Sequence, residues 1–169
     1  MRFYSITNMY LSDIQKGIQT AHAVAECSLT DNALYGEWAE KGKTIIVLNG
    51  GYTSNLKRMA NLVSESTLDG VAFNESEEAL DGALTVVGVV VPERFYVLGD
   101  YAKQGFIVST PTENEEGSEG PTMYRITPSE KLEADEESLA KLNEQLTAYG
   151  DYTEADIILI NELGNLRLA

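Results

Sequence analysis

The chain is poor in residues that staple, anchor or attract polyanions. Cys27 is its one cysteine, so no internal disulfide can form, a reducing compartment is expected, and the thiol reads as inert core. Met1 to Ile6 holds no apolar stretch of signal-peptide length, and no run of ~18 apolar residues occurs, so neither export nor a membrane span is expected. The cytoplasm is the expected location. His22 is the one histidine, and no cluster has metal-ligand spacing, so neither metal nor cofactor is expected. Basic residues are also scarce: 12 against 27 acidic ones, a net charge of -15. That field repels nucleic-acid backbones and anionic lipid. Direct nucleic-acid binding is therefore disfavoured unless Lys41, Lys43, Lys57 and Arg58 gather on one face.

What is present suits one domain over 1–169: a length of 169 residues and 43% hydrophobic content are enough for a core. Arg2 to Thr7 alternates polar with apolar and predicts a strand. Ser12 and Gln15 have capping-box spacing, ahead of a helix with Ile14, Ile18, Ala21 and Ala25 at helical intervals. Beside that stripe, His22 reads as a hydrogen-bonded packing residue. After a looser stretch holding Trp38, the apolar run Thr44 to Leu48 predicts a buried central strand, parallel to the first. Gly50-Gly51 then reads as a turn, since no Walker or dinucleotide spacing follows.

Thr53 or Ser54 caps a helix with Leu56, Met59, Ala60 and Val63 on its apolar face. A short strand, Val71 to Phe73, follows Asp69-Gly70, and Glu75, Glu77, Glu78 and Asp81 read as one solvated loop. Leu84 to Val91 is a second buried strand, ending at Pro92. The order β-α-β-α-β-β predicts an α/β fold, a small mixed four-stranded sheet flanked by helices.

Composition changes after Pro92. Glu93 to Thr153 holds thirteen acidic and five basic residues. Phe106 to Thr110 and Met123 to Thr127 alternate like strands around an acidic tip with Glu113, Glu115, Glu116 and Glu119. Ser129 or the acidic residues after it, among them Glu133, Asp135, Glu136 and Glu137, start a helix carrying Leu132, Leu139, Leu142 and Leu146.

The segment Gln15-Lys16-Gly17-Ile18-Gln19-Thr20-Ala21-His22-Ala23 resembles the first-helix signature of the archaeal/eukaryotic-type peptidyl-tRNA hydrolases, with Gln19, His22 and Ala23 matching. Trp38 through Leu48 is similar to that family's Trp-containing helix end and second strand. Leu84 to Gly88 is similar to its Gln-Thr-Val-Leu-Gly strand, and Leu163 to Leu168 to its closing Gly-His-Leu-Lys-Leu. The resemblance thus covers roughly 1–92 and 154–169 as a core and makes 93–153 an acidic hairpin-plus-helix insertion. Similar divergent sequences occur in tailed-phage genomes, where the location would be the host cytoplasm.

The resemblance implies an ester-cleaving site built from a lysine, an aspartate and threonines. Here Gln15 stands at the lysine position, Phe73-Asn74-Glu75 at the aspartate region, and Thr85 on the strand; Lys16 lies ~100° further round the helix. Two readings follow. One is a non-catalytic binding or inhibitory protein that sets the acidic insertion against a basic surface of a partner protein, imitating nucleic-acid charge. The other is a divergent peptidyl-tRNA or aminoacyl-ester hydrolase using Lys16, Glu75 and Thr85. The distance of the Lys16 amine from Glu75 and Thr85 separates them.

Overall fold

A computed structural model describes residues 1–31, 33–68, 70–96 and 152–169, the strand backbones of 106–109 and 125–128, and residues 136, 137 and 140. Strand β1 (Arg2–Thr7) leads into α1 (Asp13–Leu29) and α2 (Ala33–Lys41), then β2 (Ile45–Asn49), α3 (Thr53–Glu65) and β3 (Gly70–Asn74). A one-turn helix α4 (Glu77–Leu80), β4 (Leu84–Val91) and a 3-10 turn (Glu93–Phe95) follow, and α5 (Glu154–Asn165) closes the chain. The sheet order is β2-β1-β4-β3. β1 runs parallel to β2, from Phe3 beside Ile45 to Thr7 beside Asn49, a pairing that the long crossover through α1 and α2 permits. β4 is antiparallel to both β1 and β3, so the sheet is mixed.

Sheet faces follow the two-residue period. Phe3, Val86 and Val90 pack with Ala23, Cys27 and Trp38 under α1 and α2. Ile6, Val87, Val89 and Val91 pack with Leu56, Met59, Val63, Ile157 and Ile160 under α3 and α5. All eight residues of β4 are buried, as a strand covered on both faces requires. Gly88 keeps α1 close: a Cβ there would lie 2.6 Å from the Phe3 ring and 3.1 Å from Ala23 Cβ.

Several expectations are corrected. β2 is parallel to β1 as expected but lies at the sheet edge, with Ile45 42% exposed. Its apolar run serves an edge that the C-terminal tail covers. Asn49 N–H donates to Arg167 O at 2.8 Å and Ala169 N–H to Val47 O at 3.0 Å. The looser stretch around Trp38 is the helix α2, held where the indole N–H donates to Thr44 O at 3.0 Å. The acidic loop contains α4, capped by Ser76, with Asp81 left-handed at φ 48. The N-cap of α3 is Tyr52, neither Thr53 nor Ser54.

The largest correction concerns α1. The capping box of Ser12 and Gln15 forms as expected, but the helix buries Gln19, Thr20, Ala23 and Cys27 and turns its apolar stripe outward. Ile14 is 79% and Ile18 50% exposed, and Ala21 and Ala25 are exposed too. The reason lies in the opposing strands, which present polar partners. Ser5 and Thr20 hydroxyls lie 2.7 Å apart, and Thr85 bonds Gln19. Satisfied polar groups therefore pack inward without the cost of unpaired burial.

At the other end, α5 begins with Thr153 and Asp156 in a capping box. Asp156 is fully buried and also accepts from Thr67 N–H at 2.8 Å, tying α5 to the α3–β3 connection. Phe95 and Tyr152 are buried in the core, edge to face at 5.0 Å, so the core extends into both ends of 93–153. Within that segment β5 (Phe106–Ser109) pairs antiparallel with β6 (Arg125–Pro128) in a separate two-stranded ladder. The expected tip lies outside the described residues.

Among the described residues, no helix is long and apolar enough to cross a membrane.

Candidate functional site

The parallel strands β1 and β2 end side by side, and the loops that leave them face α4. At that end of an α/β sheet, ligands bind most often. A cleft of about 410 Å³ opens here, lined by Tyr10, Gln15, Thr53, Leu80, Asp81 and Thr85 among others. Asn8 organises its floor: its backbone N–H donates to Thr85 O at 3.0 Å, its side-chain amide to Thr53 Oγ1 at 3.2 Å, and its Oδ1 accepts from Tyr10 N–H at 3.1 Å. Tyr10 lines the cleft and is 74% exposed, and Tyr52, 57% exposed, packs against it with ring centroids 5.6 Å apart.

Glycines 50 and 51 shape the β2–α3 turn. Gly50 N–H donates to Thr7 O at 2.7 Å and Gly51 N–H to Asn49 Oδ1 at 2.9 Å, so both amides have partners within the turn. This agrees with the plain turn expected from the spacing.

Two of the three candidate catalytic residues come together, through a third residue. The Thr85 hydroxyl donates to Gln19 Oε1 at 2.7 Å, and Gln19 Nε2 donates to the Glu75 carboxylate. Thr85 is only 2% exposed. Its hydroxyl hydrogen is engaged and its oxygen is shielded from solvent. Lys16 is not part of this chain of bonds: its ammonium pairs with Asp13 at 3.3 Å, and it makes no ion pair with Glu75. Gln15, where the resemblance would put a lysine, does line the cleft, but its side-chain oxygen accepts from both the backbone N–H and the hydroxyl of Ser12, at 2.9 and 3.0 Å. Among the described residues lining the cleft, none is cationic and Asp81 is anionic.

His22 is exposed and stacks on Phe73, centroids 4.6 Å apart and planes within 4°, which replaces the buried hydrogen-bonded role expected for it. Cys27 is fully buried, and burial pushes its thiol up to about 11, helped by the neighbouring Glu26 charge. At neutral pH it is a protonated core thiol.

The candidate basic patch is divided. Lys41 ends α2 and pairs with Glu37 at 3.0 Å, whereas Lys57 and Arg58 ride on α3 over the opposite sheet face. Arg58 pairs with Glu162 at 2.7 Å. Of the acidic binding candidates, Glu136 and Glu137 are helical and exposed. Glu113, Glu115, Glu116, Glu119, Glu133 and Asp135 lie outside the described residues. No group of three His, Cys, Asp or Glu side chains gathers as for a metal among the described residues.

Sequence reasoning missed Tyr10 and Tyr52. The signal was there: each follows the C-terminal end of one of two strands already read as parallel. Gln19 was noticed for its motif and not as the bridge between Thr85 and Glu75. In comparisons with known proteins, no family model matches the chain and no curated protein is significantly similar to it.

Proposed function

We propose that this chain is a non-catalytic binding or inhibitory protein on a peptidyl-tRNA-hydrolase-like fold, whose acidic surface holds a basic surface of a partner protein. The observation that carries this reading is the state of position 15. Ester cleavage needs the developing oxyanion stabilised, and the family this chain resembles places a lysine cation in its site. Gln15 supplies none and is committed to the cap of α1. The neighbouring hydroxyl and carboxylate are joined through Gln19, which leaves a polar scaffold in place of an activated nucleophile. An aromatic wall, an anionic rim at Asp81 and a net charge of -15 suit a cationic, partly apolar partner.

The test pairs an activity assay with a capture experiment. Purified protein should not release peptide from peptidyl-tRNA above background, and in the native host's extract it should retain basic proteins that salt elutes. Turnover that disappears in Lys16→Ala would overturn the reading in favour of a divergent hydrolase, with Lys16 swung from Asp13 towards Glu75 and Thr85.

A further inference from the structure

Among the described residues that line the cleft, Asp81 carries the one charge. It ends α4 in the left-handed region at φ 48, and its carboxylate makes neither an ion pair nor a hydrogen bond among the described residues. The sequence around it supplies no counter-ion: from Met59 to Glu93 there is no Lys, Arg or His, while Glu75, Glu77, Glu78 and Asp81 set four acids within seven residues. Lys16, beside the cleft residue Gln15 in the chain, is held by Asp13 at 3.3 Å. Leu11, Ala79, Leu80 and Ala83 supply apolar wall, and Tyr10 is 74% exposed. A bare carboxylate, an open aromatic ring and an aliphatic wall in one cleft match a cation carried on a methylene stem.

We infer that the cleft takes the side chain of one arginine on a partner protein, its stem along Leu11 and Leu80, its guanidinium against the Tyr10 ring and forked onto the Asp81 carboxylate. This rests on the binding reading above and names what the partner presents. The volume of about 410 Å³ lies at the small end of the ~300–1,000 Å³ of ligand pockets, so it admits a side chain and little more.

The chemistry of the walls chooses among cations. A guanidinium is planar, so it can stack on a ring and meet a carboxylate through two N–H bonds at once, and it gives up its hydration more readily than an ammonium. Lysine offers a point charge and none of that fit. A free amino acid would carry its own carboxylate into a neighbourhood of acids, whereas a residue within a chain brings only the cation. Phosphorylated ligands are repelled for the same reason.

NMR titration of the full chain with acetyl-Gly-Arg-Gly-amide, and with the same peptide carrying lysine or citrulline in place of arginine, tests it. The arginine peptide should saturate and move the amide signals of Tyr10, Leu80 and Asp81. Citrulline, which keeps the shape and loses the charge, should bind about tenfold more weakly, and lysine about threefold. Asp81→Asn, which keeps a residue suited to φ 48, and Tyr10→Ala should each weaken arginine binding by about three- to tenfold with circular dichroism unchanged. No saturable binding of the arginine peptide would overturn the inference, as would lysine or citrulline bound as tightly, or indifference to both substitutions. The binding reading stands or falls separately: peptidyl-tRNA turnover lost in Lys16→Ala sinks it, and a basic partner retained from host extract keeps it even where the cleft ignores arginine.

Discussion

Thr85 on β4 and Gln19 on α1 hold each other in the buried layer between sheet and helix, the hydroxyl donating to the amide oxygen at 2.7 Å. With 2% and 4% exposure, neither has water to turn to. The pair explains why a helix with an available apolar stripe turns a glutamine inward.

Thr85→Val should therefore cost stability through the stranded Gln19 oxygen, about 1–3 kcal/mol. Gln19→Leu should cost a similar amount, and the double variant should lose less than the sum, with a coupling of roughly 0.5–3 kcal/mol. Urea melts of the four proteins measure it. Additive losses would mean the two groups do not depend on each other.

Asp156→Ala should be among the most damaging single changes. Its carboxylate accepts from Thr153 N–H and Thr67 N–H, both at 2.8 Å, and from the Thr67 hydroxyl. Removing it breaks one half of the α5 capping box, with Thr153 still the N-cap, and leaves the part-buried Thr67 and Thr153 amides without their acceptor, about 1–3 kcal/mol in all. Thermal melting reads the loss, and Thr67→Ala, which spares the backbone bond, should cost clearly less.

Alkaline pH should weaken the fold through Cys27. Burial raises its thiol from 9.0 to about 11, so its contribution is complete below pH 9 and disappears as pH rises through about 11. The melting temperature should fall over that window, and Cys27→Ala should flatten the fall. Thiol reagents at pH 8 should modify the native protein far more slowly than the denatured one.

Two surfaces, the acidic segment and the aromatic cleft, are candidates for the contact with a basic partner, and they can be separated. Replacing Glu113, Glu115, Glu116 and Glu119 with glutamine should leave circular dichroism unchanged, weaken binding to a basic partner retained from host extract, and flatten its salt dependence. Tyr10→Ala with Tyr52→Ala should weaken binding without changing that slope, since the rings carry no charge. Affinity indifferent to both sets would leave the partner reading without a surface.

The elements were legible because local chemistry specifies them. Ser12 and Gln15 announce a capping box, Leu84 to Val91 can only be a strand buried on both faces, and Leu56, Met59 and Val63 mark the inner side of α3. The two-residue period likewise assigns Phe3 and Ile6 to opposite faces. Only the tertiary structure decided which side of α1 faces in. Helical spacing measures how apolar residues are grouped; it carries no information about what the sheet offers in return, and Ser5 and Thr85 offer hydroxyls. Position in the sheet was hidden for a similar reason. An apolar run such as Thr44 to Leu48 suggests burial on both sides, yet only Leu48 is buried, where the C-terminal tail pairs along the edge, and Ile45 stays exposed. The cleft, too, is a product of packing: Tyr10 and Tyr52 are 42 residues apart in the chain, and parallel pairing of β1 with β2 brings them together.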